Sequence, residues 1–427
     1  MQTLFPSRGT PRILLGKCWL FSAPVLGFIV MLTGCAPEET ALPEVAEHTR
    51  DGKVILGSPR LTAGIPGTGE LTIPEIQRWL KDPVNHQALG FVLPWHLEEA
   101  ADAVFVPKDN PLTRAKIELG RQLYFDTRLS NANVYSCSSC HLPEQSFAHH
   151  MVMPHVKRNP LPVVNRILSK AQFWDGKAKT LEEQPIIPIK TPYEMNTTPE
   201  KCADRVWQSE GYRLQFAAIF DDGKVTFENI AKALSAFERV LVSGASPWDY
   251  QRELDRFADQ DPNALSKEDQ RTWEQAAQGV KERPMSPSAL RGMKLFFSDQ
   301  TSCGDCHSGP NLTDEDYHNL GVGIEVREMI RDDQGRIRVT GREEDRYAFR
   351  TPTLRNASMT RPYMHDGSHD SLKKVVDFLA AGGKANPQLS PLIRPLDLTD
   401  QDKEDLVEFI KACDSPLPPV ETERLPR

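Results

Sequence analysis

The chain has 427 residues, long enough for two domains or slightly more, each with a sizeable core. Its 59 acidic residues outnumber 51 basic ones, for a formal net charge of −8. That balance argues against nucleic acid as a partner and leaves room for a basic protein partner steered by the field.

The first 35 residues read as an export signal. Arg8, Arg12 and Lys17 make a basic start without acidic residues, Cys18 to Leu32 is largely apolar, and Leu32-Thr33-Gly34-Cys35 resembles the lipobox of bacterial lipoproteins. The apolar run is short for a spanning helix and ends in small residues, so cleavage before Cys35 and lipid on that cysteine are expected. Ala36 follows, with no Asp to suggest inner-membrane retention, which points to the outer membrane. Removing residues 1–34 takes away three basic and no acidic groups, leaving a charge of −11.

From Ala36 to about Pro66 the chain is rich in Pro, Glu, Thr and Gly, and residues 35–70 read as a flexible tether. Ordered structure is expected from Leu71, with short helices over Ile73–Leu80 and His96–Ala103. Trp79, Trp95, His86 and His96 carry no assigned chemistry. Asn110-Pro111-Leu112-Thr113 opens a helix whose apolar face is Ile117, Leu119, Leu123 and Tyr124.

Next come Cys137-Ser-Ser-Cys140-His141 and, far downstream, Cys303-Gly-Asp-Cys306-His307. Cys-x-x-Cys-His is the attachment signature of c-type haem. Two thiols one turn apart can add to the vinyl groups on one porphyrin edge, and the adjacent His reaches the iron. A redox dithiol needs neither the His nor a second copy. A zinc ribbon sets its knuckles about 15–20 residues apart, whereas 162 residues separate Cys140 from Cys303. Haem of this kind is attached outside the cytoplasm, in agreement with the export signal. Of the 8 cysteines, Cys202 and Cys413 are left over, and whether they pair depends on a distance the sequence does not give.

His149, His150 and His155 follow the first copy, and then Arg158-Asn159-Pro160-Leu161-Pro162. Asn165-x8-Trp174-Asp175-Gly176, with Leu181 beyond, matches Asn356-x8-His365-Asp366-Gly367, with Leu372 beyond, so the chain carries a diverged internal repeat. Between the copies, Phe227–Val242 is an amphipathic helix, apolar at Ile230, Leu234, Phe237 and Val240. Ser246–Ser286 is charged and Pro-punctuated, a linker with one or two exposed helices. Ser288–Phe297 repeats the helix that approaches the haem segment, and Thr399–Ala412 closes the second half. Alternation of strand type is scarce, so the class is mainly α. The expected divisions are a domain over 71–250, a linker over 251–285, a domain over 286–418 and a tail over 419–427.

The order Cys-x-x-Cys-His, Phe-Trp-Asp-Gly, Leu-Glu-Glu-Gln, Tyr-Glu-Met-Asn, Cys-x-x-Cys-His, Thr-Pro-Thr-Leu-Arg-Asn, Pro-Tyr-Met-His-Asp-Gly resembles the bacterial di-haem cytochrome c peroxidases and their MauG-like relatives, over roughly Asn110 to Pro418. The resemblance implies two cytochrome c-like domains, each with one covalently bound haem. His141 would be the proximal ligand of the peroxide-reactive haem and His307 that of the electron-transfer haem. Trp174 would carry electrons between them. Gln184 and Glu194 match the family's distal-pocket pair, where splitting the O–O bond needs a group that moves a proton from one oxygen to the other. Asn159, through its side chain, and Thr360 and Pro362, through their carbonyls, match a calcium position, and oxygen-only ligation suits that hard cation.

Two departures bear on mechanism. No His falls where the peroxidases place a distal ligand to the first iron, and Arg158-Asn159-Pro160 looks more like the MauG-like branch, which leaves that iron open; His155 is the alternative ligand. Fourteen residues after His365, where the family has Met or Tyr, stands Leu379. Met364, Met359 or another side chain would then ligate the second iron, or it too is five-coordinate. The implied function is reduction of hydrogen peroxide with electrons from a small periplasmic donor such as a cytochrome c or cupredoxin. The alternatives are oxidation of a partner protein by a MauG-like enzyme and non-enzymatic electron carriage. The implied place is the periplasm, on a lipid anchor.

Overall fold

The regular secondary structure is mainly helical, as expected. The computed structural model describes Thr49 and residues 52–150, 158–324 and 333–427. The export signal, Cys35, the first part of the tether and His155 lie outside the described residues. In chain order the helices are α1 (Ile73–Lys81), α2 (Arg114–Phe125), α3 (Ile186–Lys190), α4 (Pro199–Gln208), α5 (Glu210–Ile219), α6 (Phe227–Val240) and α7 (Pro247–Arg256). They continue as α8 (Lys267–Glu282), α9 (Pro287–Phe296), α10 (Cys303–Cys306), α11 (Ile337–Thr340), α12 (Leu372–Ala380) and α13 (Asp400–Ala412). Two-residue strands add a parallel pair, β1 (Val54–Ile55) with β2 (Phe91–Val92), and an antiparallel pair, β3 (Tyr317–His318) with β4 (Phe349–Arg350).

Two helix pairs organise two apolar cores. The Thr113 hydroxyl accepts from the Lys116 N–H to start α2, and Thr226 does the same for α6 through Asn229. The pair crosses closely because Gly120 faces the α6 backbone: a Cβ there would stand 1.9 Å from the Ala233 carbonyl oxygen. Leu119, Leu123, Tyr124, Ile230, Leu234 and Phe237 are buried around this crossing. In the second core α9 meets α13 in the same way, and a Cβ on Gly292 would stand 1.9 Å from the Asp405 carbonyl oxygen. Phe296, Leu312, Leu406 and Phe409 fill that core.

The expected tether is shorter than its composition suggested. Val54, Leu56, Leu61 and Ile65 are buried, because β1 pairs with β2 and the following residues pack on α2. Residues 419–427, expected as a tail, also lie on the first half. Arg121 donates to the carbonyls of Glu421 at 2.6 Å and Arg424 at 2.9 Å, and Arg424 pairs with Glu75 at 3.0 Å. Within the stretch read as a linker with exposed helices, α7 is anchored inward. Trp248 and Asp249 are buried, and both Asp249 oxygens accept from Arg355 at 2.7 Å. No helix among the described residues is long and apolar enough to cross a membrane.

The internal repeat is present in the backbone. Asn165 and Asn356 have φ of 60° and 61°, Phe173 and Met364 71° and 69°, Gly176 and Gly367 71° and 68°. Isolated bridges join Gln172 to Ala178 and Tyr363 to His369 at the same offsets. Each Asn side chain accepts a backbone N–H across its core, from Ser243 at 3.0 Å and Ser415 at 2.8 Å.

Candidate active site

Each Cys-x-x-Cys-His segment is one tight turn. The His141 N–H bonds the Cys137 carbonyl at 3.1 Å and the His307 N–H bonds that of Cys303 at 3.0 Å. His141 Nδ1 meets the Phe147 carbonyl at 3.0 Å, and His307 Nδ1 meets that of Leu312 at 3.1 Å. Burial lowers the pKa of both imidazoles. At His307, with Nδ1 committed to a carbonyl, Nε2 is left as the lone-pair atom a metal takes, whereas the His141 ring also meets the Leu161 carbonyl. The four thiols are free, and burial pushes that of Cys140 up to about 11.

A large, mainly apolar cavity adjoins the second copy, lined by Cys303, Cys306, His307, Phe296, Val376, Leu379, Ile393 and Leu406 among others. Two unbridged thiols, an imidazole with one nitrogen fixed, and an apolar chamber beside them fit a covalent haem. Cys306, Asp314 and His318 bring ligand atoms within 4.8 Å of one another. This is a poor cation site, because a thioether would consume the Cys306 sulfur and Asp314 holds His318 at 2.9 Å.

Trp174 and His365, equivalent in the repeat, face each other across the wall of this cavity. Their ring centres are 6.4 Å apart at 71°. The Trp174 Nε1–H donates to the Asn159 carbonyl at 2.7 Å, and the Asn159 N–H donates to the His365 carbonyl at 2.7 Å. Phe349 stacks on His365 at 3.6 Å. The motif glycine is required here: Gly176 has φ +71°, and a Cβ would sit 2.0 Å from the Tyr317 hydroxyl.

Glu194 sits on the turn after α3, where its N–H bonds the Thr191 carbonyl at 3.1 Å. Its carboxyl is half-buried; burial raises its pKa, against the opposing charge of Lys177. The Glu194 charge raises the Cys140 thiol further, so this acid lies within electrostatic reach of the first attachment turn. Gln184, also half-buried, starts α3 by accepting from Ile187 N–H at 3.2 Å.

Asn159 Nδ2 donates to the Pro362 carbonyl at 2.5 Å, while Asn159 Oδ1 is buried without a hydrogen-bond partner. Thr360 lines the same cavity. As placed, the amide nitrogen meets the Pro362 carbonyl; turning the amide over would bring two oxygens together, the donor type a hard cation takes. His149 and His150 stack on each other at 5.1 Å just beyond the turn that fixes His141. Met364 lines the cavity beside Leu379, whereas Met359 is 37% exposed and its sulfur accepts from Asn356 at 4.0 Å. Cys202 and Cys413 are unbridged and buried in different cores. The sequence reading passed over Gly120, Gly292 and the Asp249–Arg355 pair. The glycines stand five residues before Phe125 and Phe297 in two parallel Gly-x-x-Leu-aromatic-Phe runs, a signal that could have been found.

Residues 114–256 match the family model described as di-haem cytochrome c peroxidase. The methylamine utilization protein MauG of Methylophilus methylotrophus is 32% identical over 321 residues, covering 73% of this chain and 86% of that protein. The cytochrome c551 peroxidase of Pseudomonas aeruginosa is 30% identical over 366 residues, covering 81% and 95%. The crystal structure of a MauG-like protein associated with microbial copper homeostasis superposes with a TM-score of 0.64 at 29% identity, covering 75% of this chain and 95% of that one. Paired haem-attachment turns, a duplicated backbone and relatives matched over most of their length lead to one statement: the chain belongs to the family of di-haem cytochrome c peroxidases and MauG.

Proposed function

We propose that the protein reduces hydrogen peroxide to water at a first haem, held by Cys137, Cys140 and His141, with electrons passed from a second, held by Cys303, Cys306 and His307. The observation that carries this is an asymmetry between the two copies. Ten and twenty residues after Trp174 stand Gln184 and Glu194; at the same distances after His365 stand Val375 and Ala385. Only the first copy has an acid there, and it is half-buried, within electrostatic reach of Cys140, with a raised pKa.

Bound haem supplies an iron that takes peroxide and electrons. The protein's own groups do the rest. His141, anchored through Nδ1, would hold the iron through Nε2. Glu194 takes the proton from one peroxide oxygen and returns it to the other, a task favoured by a carboxyl whose pKa lies nearer the working pH than usual. Gln184 orients the substrate. Trp174, edge-on to His365, passes electrons one at a time. Two electrons and two protons convert each peroxide to two waters.

We assign the two cores to two haem-bearing domains, 71–250 and 286–418, joined through 251–285. Asn159 Oδ1 and the Thr360 and Pro362 carbonyls would hold a calcium ion that ties the loop after the first haem to the loop before His365. The protein is placed in the periplasm, lipid-anchored through Cys35, with a small cytochrome c or cupredoxin as donor and an open first iron. The likeness to MauG favours a second reading, oxidation of a partner protein. Mixing the holoprotein with peroxide, with and without reduced cytochrome c, separates the two. Rapid oxidation of the cytochrome supports the peroxidase; a long-lived oxidised protein with slow cytochrome turnover supports the second reading. No spectral change with peroxide removes both.

A further inference from the structure

Arg158 heads the segment that makes both hydrogen bonds around Trp174. Its guanidinium donates to Asp333 through Nε at 2.6 Å and Nη2 at 2.8 Å, and Nη1 meets Asp175 at 2.7 Å. The three side chains are 18%, 14% and 6% exposed, so these charge-assisted bonds lie where water weakens them little. The guanidinium also lies 5.5 Å from the centre of the Phe349 ring, the ring that stacks on His365. Three distant stretches of chain thus meet at one arginine. One holds Asn159, whose carbonyl takes the indole N–H and whose N–H takes the His365 carbonyl. Another holds Asp175, the residue after Trp174.

We propose that Arg158 is a positioning residue for electron passage through Trp174: it clamps the backbone on both sides of the indole and so fixes the ring against His365. This rests on the reading of Trp174 as the relay. In each passage one electron leaves the indole toward the first site and one arrives from the second. Peroxide is the final oxidant and the external donor the final reductant. No bond forms or breaks on the indole, and the Nε1 proton stays in place because its partner is an amide carbonyl, which is not a base. Electron transfer falls steeply with small errors of placement, so a loosened clamp slows this step without touching peroxide binding.

The test uses the holoprotein, fully reduced and then mixed with peroxide, and follows reoxidation of the second haem. Arg158→Gln is expected to slow that phase about tenfold or more, with two haems retained and cyanide affinity at the first haem unchanged. Arg158→Lys should recover part of the rate. A wild-type rate in Arg158→Gln overturns the proposal, as does a slowing matched by haem loss or by an equal change in cyanide affinity, since the arginine would then act only on the fold. If that variant does not fold, Asp333→Ala removes the partner of two of the three contacts and is read by the same outcomes. Trp174→Phe is the control: a wild-type rate there overturns the relay reading itself, whatever Arg158 does.

Discussion

Glu194 and His96 are displaced by burial in opposite directions, with consequences that can be measured separately. For Glu194 burial favours the neutral acid, which keeps a proton at hand within electrostatic reach of Cys140. Glu194→Gln keeps the size and loses the transfer, so the reaction with peroxide is expected to slow about 100-fold with both haems still attached; stopped-flow absorption and a haem count check this together. His96 is buried with Nε2 on the Ser243 carbonyl at 3.1 Å and Nδ1 unpartnered. Burial lowers its pKa from 6.5 to about 4. The unfolded chain therefore takes the proton first, and stability is lost as pH falls from 6.5 through 4. The whole loss is about 3 kcal/mol. Urea unfolding across this window should show the slope, and His96→Gln should flatten it.

At the scale of elements, the two helix crossings are the same device used twice. Gly120 and Gly292 each let one helix rest on a backbone carbonyl of another, so adding one methyl forces the pair apart. Gly120→Ala and Gly292→Ala are each expected to cost about 1–3 kcal/mol. Each should also lower haem occupancy at its own attachment site, read by mass spectrometry of the haem peptides. Much of this level was legible in the sequence. Helix starts announced themselves through Thr113 and Thr399, and the repeat was visible because its Asn and Gly residues hold left-handed backbone that few residues adopt. Other elements were not legible, for physical reasons. Residues 54–65 have the Pro and Gly content of a tether, yet they pack because a strand more than thirty residues on pairs with β1. Asp249 sits in a charged run that reads as solvated, and its partner Arg355 lies 106 residues away. At the candidate site, the attachment turns could be named from their Cys-x-x-Cys-His spacing, and Glu194 only through the family resemblance. The Arg158 cluster could not, because its members come from three separate stretches.

Over the whole molecule, the two cores are joined by groups that neither completes alone. The Asp249 carboxyl, opposed by burial but held by Arg355, stays ionised down to about pH 2. Residues 417–427 cross back to the first core: Leu417, Val420 and Leu425 pack against it, the Thr62 hydroxyl donates to the Pro419 carbonyl at 2.7 Å, and Leu71 bridges Pro426. This strap sets an order of assembly. A chain made from its amino end exposes Cys137 and Cys140 long before the carbonyls of Glu421 and Arg424 exist, yet the fully buried Arg121 depends on both. A haem joining Cys137 and Cys140 before those residues arrive would enter a half that has its closing helix, α6, but not its strap, whereas the second half needs only α13. Ending the chain after Pro416 should consequently lower haem loading at Cys137 and Cys140 more than at Cys303 and Cys306. Equal loading at the two sites would show that maturation does not wait for the strap.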